Sequence, residues 1–192
     1  AKREGFGKIL AEGSQKASEI IGRGTEDYLI TSKGQEAPAH MPQVKRSLSV
    51  IYATNPFGAD HESSEHDPAY KAYPERMEQI GLTNPQEKLA LNEEMMRFAM
   101  VTQHLSSAVD SLSVCAFIFG ASFQLYDADK LVEVVNAVTG WDTDMTEILA
   151  VGERRLNMLR AFNSREGIGR ESDTLPKKMF KRPLEGGRSD GY

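Results

Sequence analysis

The chain has 192 residues, 40% of them hydrophobic, with a formal net charge of −5 and a single cysteine. That is enough apolar material for one large core or two small ones. The charge is too modest, and too scattered, for a nucleic-acid surface, and one cysteine excludes an internal disulfide and fits a reducing, cytosolic compartment. No apolar run reaches the length needed to cross a bilayer and no secretory leader is visible, so neither a membrane nor a nucleic acid is expected as partner.

The opening residues, AKREGFGKIL, read like the interior of a helical region without an initiator methionine, which points to a piece of a longer polypeptide. In GFGKILAEGSQKASEIIG, apolar residues recur at Ile9, Leu10, Ala17, Ile20 and Ile21, and Gly22 suits a C-cap, so one helix is predicted there. A short extended piece follows at Tyr28 to Ile30. Residues 32–74 are rich in Gly, Pro, His, Ser and Asp and read as a long irregular segment, a kind that is functional or disordered.

Next, NPQEKLALNEEMMRFAMVTQHLSSAVD carries a helix-start pattern: Asn84 as N-cap, Pro85 at the first helical position and Glu87 completing a capping box. Leu89, Met96, Met100 and Leu105 are predicted to share its buried face. Asp127 caps KLVEVVNAVTG, which Gly140 ends. Thr143 caps the last helix, in which Ile148, Leu156, Leu159 and Phe162 keep a helical period. Beyond Arg165 the chain reads as surface loop and tail. The fold class is therefore mostly α, an irregular multi-helix bundle, with a helix-and-loop region over 1–80 and a helical region over 81–192.

Two stretches offer chemistry. The first is AVDSLSVCAF, with Asp110 and Cys115. A free cysteine in an apolar run is commonly a buried space-filler, whereas an aspartate in the same run needs a partner, and the pair suits a hydrogen-bonded cofactor beside a thiolate–metal bond. The second is YATNPFGADHESSEHDP, where His61 and His66 stand among Asp60, Glu62, Glu65 and Asp67. This reads as a solvated acidic loop, a metal site, or a loop presenting one histidine for proton transfer near neutral pH. His40, held between prolines, is a third candidate, and His104 reads as structural. Phosphate-loop, dinucleotide, CxxC, HExxH and GxSxG patterns are missing.

The ordered set AKREGFGKILAEGSQKASEIIG, KGQEAPAH, YATNPFGADH, AVDSLSVCAF, NAVTGWDTDMTEILAVGERRLNMLRAFNSREG and DTLPKKMF resembles the C-terminal half of tungsten-dependent aldehyde ferredoxin oxidoreductases, over residues 1 to about 185. The resemblance implies the two helical domains, numbered 2 and 3, that cover the cofactor in that family. It implies oxidation of aldehydes to carboxylic acids, with ferredoxin as electron acceptor. The cofactors would be tungstopterin, a bis-pterin tungsten or molybdenum centre, and a 4Fe-4S cluster. The remaining partners would be the N-terminal remainder of the same polypeptide and further copies in a homo-oligomer.

The family signature D-x-x-G-L-C matches DSLSVC, so Asp110 and Val114 resemble pterin contacts and Cys115 the cluster's fourth ligand. The end of Y-A-T-N-x-x-G-x-x-H matches His61, near the metal. His40 falls where the family often has a tyrosine facing the substrate. The chain lacks the family's C-x-x-C-x-x-x-C run, its first pterin motif and its basic glutamate. It also departs at Ser113 for glycine, Val114 for leucine, and Gln43, Phe57 and Ser63 for basic residues, which removes cations from an anion-binding site. A cofactor-free helical module derived from that family is the other reading of the sequence.

Overall fold

The computed structural model describes residues 3–192. Helices dominate it, as the periodicity predicts. Among the described residues the one sheet is an antiparallel ladder of two-residue strands, β1 (Thr31–Ser32) and β2 (Gln35–Glu36), with Thr31 opposite Glu36. No helix among the described residues is long and apolar enough to cross a membrane.

The first predicted helix is two: α1 (Phe6–Leu10) and α2 (Ser14–Ile21), separated by a turn at Gly13. Gly22 does cap α2, its N–H reaching the carbonyl of Ser18 at 2.8 Å. The stretch 32–74 is less irregular than expected. It holds α3 (Arg46–Thr54) and α4 (Pro68–Ala72), and α5 (Pro74–Glu78) follows at once. The buried face of α3 is Leu48, Ile51 and Tyr52. Those three positions cover little more than one turn, too few for a periodic signal to rise above the surrounding loop.

The long helix α6 spans Glu93–Ser111, and Asn92, not Asn84, is its N-cap, accepting from Met95 N at 3.0 Å. Residues 84–90 stay out of the helix because tertiary partners use their backbone: Asn84 N donates to Tyr70 Oη, and the carbonyl of Lys88 accepts from Arg46 N at the start of α3. The buried stripe of α6 runs through Met95, Phe98, Ala99, Thr102 and Leu105, so Met100 falls on the exposed side. In α7 (Ala128–Thr139) both predicted ends hold: Asp127 accepts from Lys130 N, and Gly140 takes the left-handed C-cap. The last long helix, α8 (Met145–Arg165), starts one residue later than expected. Asp144 caps it, and the Thr143 hydroxyl donates instead to Asn136 Oδ1 at 2.7 Å. Ile148 is buried as predicted, but Phe162 is exposed.

Helix α6 organises the interior. One cluster packs Tyr70, Met77, Met95, Phe98, Leu105, Leu131 and Ile148, and a second gathers Leu48, Ile51, Tyr52 and Ala59 against Ala99. The most extensive helix pair is α6 with α8. Gly152 makes it possible: a Cβ built there would lie 1.8 Å from the carbonyl oxygen of His104.

The segment after Arg165 is more than a tail. Leu175 and Met179 pack against the second cluster, with Met179 on the short helix α9 (Lys177–Lys181). Asp173 accepts two bonds from the Arg160 guanidinium, at 2.7 and 2.6 Å, and pairs with Lys33 Nζ at 2.8 Å. Arg160 first, then Lys33, holds the Asp173 carboxyl down to about 2.

Candidate functional site

The histidine loop is positioned by backbone contacts at its start and by polar struts along its length. Gly58 sits at φ 97°, and a Cβ there would come within 2.2 Å of the Ser32 carbonyl, so the loop lies against β1. A non-glycine residue would be strained and would clash. Ser63, where the family pattern has a basic residue, is a strut: its hydroxyl accepts from Asn55 Nδ2 and donates to the Asp60 carbonyl. Asp67 Oδ1 accepts from Ser47 N at 2.7 Å, a side-chain cap for the first turn of α3 delivered from 20 residues away. Burial pushes the Asp67 carboxyl up, against that hydrogen bond.

This cap draws His66 beside Lys45. The Lys45 Nζ lies 2.8 Å from Nδ1 of His40 and 2.8 Å from Nδ1 of His66. An ammonium only donates, so both Nδ1 atoms accept and both imidazoles carry their proton on Nε2. His66 Nε2 then donates to the His61 carbonyl at 3.2 Å. Burial first, and Lys45 second, hold His66 down to about 4, and the same two causes lower His40. Burial lowers Lys45 as well. The His40 ring centroid lies 4.7 Å from that of His61 and 4.3 Å from that of His66. His61 Nε2 donates to Glu62 Oε1 at 2.8 Å, which leaves its Nδ1 as the basic atom. Among the described residues no group of three His, Cys, Asp or Glu is arranged to hold a metal ion. In the histidine cluster the lysine occupies the ring nitrogens that a metal would need.

The cluster opens on a cleft of about 440 Å³. Its other wall is apolar: Ala69, Ala72, Tyr73, Ala116, Phe117 and Phe123. Glu65 ties the two sides together. Its carboxylate accepts from Ser122 Oγ at 2.7 Å and Gln124 Nε2 at 2.9 Å, and burial drives its pKa up. Arg76 Nη1 fixes the same loop by donating to the carbonyls of Ser122 and Gln124, both at 2.8 Å.

Cys115 lies on the loop that supplies Ala116 and Phe117 to this cleft, and its thiol is exposed and free. Asp110, at the end of α6, is also exposed, with one carboxylate oxygen 3.1 Å from Arg155. Val114 is half-buried against the main cluster. Ser113 sits at φ 56°. It occupies the left-handed position of a Schellman turn, in which Val114 N bonds the Val109 carbonyl and Ser113 N that of Asp110. That position favours glycine, so the glycine of the family signature has a local conformational reason and Ser113 carries strain. His40 and His61 line the cleft; Asp110, Val114 and Cys115 do not. His104 is half-buried away from it.

Sequence reasoning missed Lys45 and Arg155. Arg155 has its guanidinium 5.7 Å over the Phe57 ring, so a cation from α8 stands at the loop position where the family arginine is replaced. Glu65 was visible only as one of the acids of the histidine loop, without its partners, and nothing local marked Lys45.

The whole chain, residues 1–192, matches the family described as aldehyde ferredoxin oxidoreductase, domains 2 and 3. Tungsten-containing aldehyde ferredoxin oxidoreductases of Pyrococcus abyssi, Pyrococcus horikoshii and Pyrococcus furiosus are 34%, 33% and 32% identical over all of this chain. The chain spans 30% of the length of each of these curated relatives. With helical architecture and full-length match in agreement, the chain belongs to the aldehyde ferredoxin oxidoreductase family, in the part formed by its second and third domains.

Proposed function

We propose that this chain is the helical, cofactor-facing part of an oxidoreductase that converts aldehydes to carboxylic acids and passes the electrons to ferredoxin. The observation that carries the reading is the cleft itself. The loop bearing His61 forms one wall, and the residues directly after Cys115 form the other. The residues fit the groups the family implies. The Cys115 thiol is exposed and free to ligate iron contributed from outside the chain, the usual role of a cluster thiolate. Asp110 has a carboxylate oxygen beyond its Arg155 contact to accept from a pterin, and Val114 packs against the main apolar cluster.

Tungstopterin would supply the two-electron redox chemistry and a 4Fe-4S cluster would relay the electrons. The residues of this chain handle the proton and the substrate. Oxidation of an aldehyde with water releases two protons and two electrons for each carboxylic acid formed. His61 Nδ1 takes one of those protons, because its Nε2–H is committed to Glu62. His40 lies 4.7 Å from the His61 ring and lines the same cavity, where it orients the carbonyl oxygen through Nε2–H. The apolar wall excludes bulk water from the body of the substrate.

The test is tungsten and iron analysis of the protein that carries this chain, purified without oxygen, beside its Cys115→Ser variant. Tungsten with about four irons, and iron lost in the variant, is the expected result for a cluster ligand. Neither metal in the unmodified protein would refute the reading.

A further inference from the structure

We propose that the cleft is a monocarboxylate site, in which Lys45 and Ser64 receive the carboxylate head of a ligand whose apolar body lies against Ala69, Ala72 and Phe123. Two independent observations support it. The Lys45 ammonium has three N–H donors, two of which the histidine Nδ1 atoms accept. Among the described residues no ion pair engages Lys45, although it is half-buried. Separately, Ser64 lines the same cleft with its hydroxyl buried and without a partner. The residue is 7% exposed.

None of the acids around the cleft forms an ion pair with Lys45, although Asp67 stands close enough to favour its charge and keeps one buried oxygen, Oδ2, unpartnered. Glu62 is on His61, Glu65 on Ser122 and Gln124, and Asp67 on Ser47. A half-buried cation with an open donor, in the same cleft as an unpaired buried hydroxyl, matches a carboxylate. One cation, with three carboxylates nearby, suits a monoanion and rejects a phosphate or dicarboxylate. The alanine and phenylalanine wall calls for an aryl or branched alkyl body, and the cavity of about 440 Å³ has room for one. Taking this ligand as the acid formed from the aldehyde rests on the function proposed above. The anion site itself rests on Lys45 and Ser64.

The experiment is calorimetric titration of the protein that carries this chain with benzoate, with benzamide as the neutral analogue and with acetate as the head alone. Benzoate is expected to bind at least tenfold tighter than either, a gap consistent with one charge-assisted hydrogen bond. In Lys45→Met the benzoate preference over benzamide is expected to vanish while benzamide binding stays. Equal binding of benzoate and benzamide by the unmodified protein overturns the proposal, and that comparison decides the matter if the variant fails to fold. A preference that survives Lys45→Met overturns it as well. Binding is read without turnover, so the two ideas fail separately. Tungsten and iron present with no benzoate preference overturns this site alone. Benzoate preference in a protein lacking both metals supports this site and overturns the oxidoreductase reading.

Discussion

Gly152→Ala is the perturbation whose outcome two physical arguments predict with opposite sign. Gly152 is interior to α8, where alanine is favoured over glycine by about 1 kcal/mol. Propensity alone therefore makes the variant more stable. Packing says otherwise. The new methyl would lie 1.8 Å from the His104 carbonyl oxygen, 2.7 Å from its carbon and 3.0 Å from Ala108 N. All three are backbone atoms of α6, so no rotamer change relieves the contact, and the two helices must part locally by more than an ångström. A gap of that size forfeits a quarter to a half of each dispersion contact across the pair, and overpacking costs about 1–3 kcal/mol even where side chains can adjust. At the upper end of that range, net of the propensity gain, the expected loss is about 2 kcal/mol. For a chain of this size that lowers Tm by roughly 4–8 °C. Ala161→Gly, on the exposed side of the same helix, is the control and should cost about 1 kcal/mol. Thermal and urea unfolding followed by far-UV circular dichroism read both. A Gly152→Ala protein as stable as the parent, or more so, refutes the account of the α6–α8 contact.

Acid should act in two separate windows. His66 is held from the ordinary 6.5 down to about 4, so the unfolded chain binds the extra proton first, and stability present above pH 6.5 falls as pH drops towards 4. His66→Gln should flatten that limb in urea titrations run across pH, and an unchanged limb would sink the assignment. Asp173 is an acid held from 3.8 to about 2, so its contribution, about 2 kcal/mol, is complete above pH 4 and fades as pH falls through 2. Asp173→Asn should remove that stabilisation at neutral pH and with it the lower limb. Ser113→Gly relieves a left-handed residue in a Schellman turn and should stabilise by about 0.5–1 kcal/mol; no gain would mean the turn relaxes at little cost. Phe117 and Phe123, each 61% exposed with ring centroids 6.3 Å apart, should drive association of the isolated chain. Sedimentation should show Phe123→Ser shifting it towards monomer, and a clean monomer of the unmodified chain would contradict this.

What the sequence revealed follows the range of the interactions involved. Helix α7 was legible at both ends because Asp127 and Gly140 act within four residues of themselves. The start of α6 was misread although Asn84, Pro85 and Glu87 form a sound local pattern. Distant partners, Tyr70 and Arg46, take up that segment's backbone, and no local rule sees them. The cap of α8 slipped by one residue for the same reason, since Asn136 claims Thr143. Among the candidate residues, His61 and Cys115 were visible because they end recognisable strings, and Asp110 because it opens one. Lys45 acts on a ring 21 residues away and stands in no string, and Glu65, although it stands in the histidine string, acts on a hydroxyl 57 residues away that the string does not show.

The same division sets how the site is held. The apolar clusters fix α6 against α8 and α3, but few of their members reach the cleft. Its two walls are joined by buried polar links instead: Asp67 to Ser47, Glu65 to Ser122 and Gln124, and Arg76 to the carbonyls of that same loop. Such links are directional, and a buried partner left alone costs about 1–3 kcal/mol. They can therefore fix a loop that has little apolar surface of its own to bury. Removing one should disturb the spacing of the histidine and cysteine loops while leaving the helices assembled. Truncating Phe98 or Leu48 should instead lower global stability before it alters the cleft.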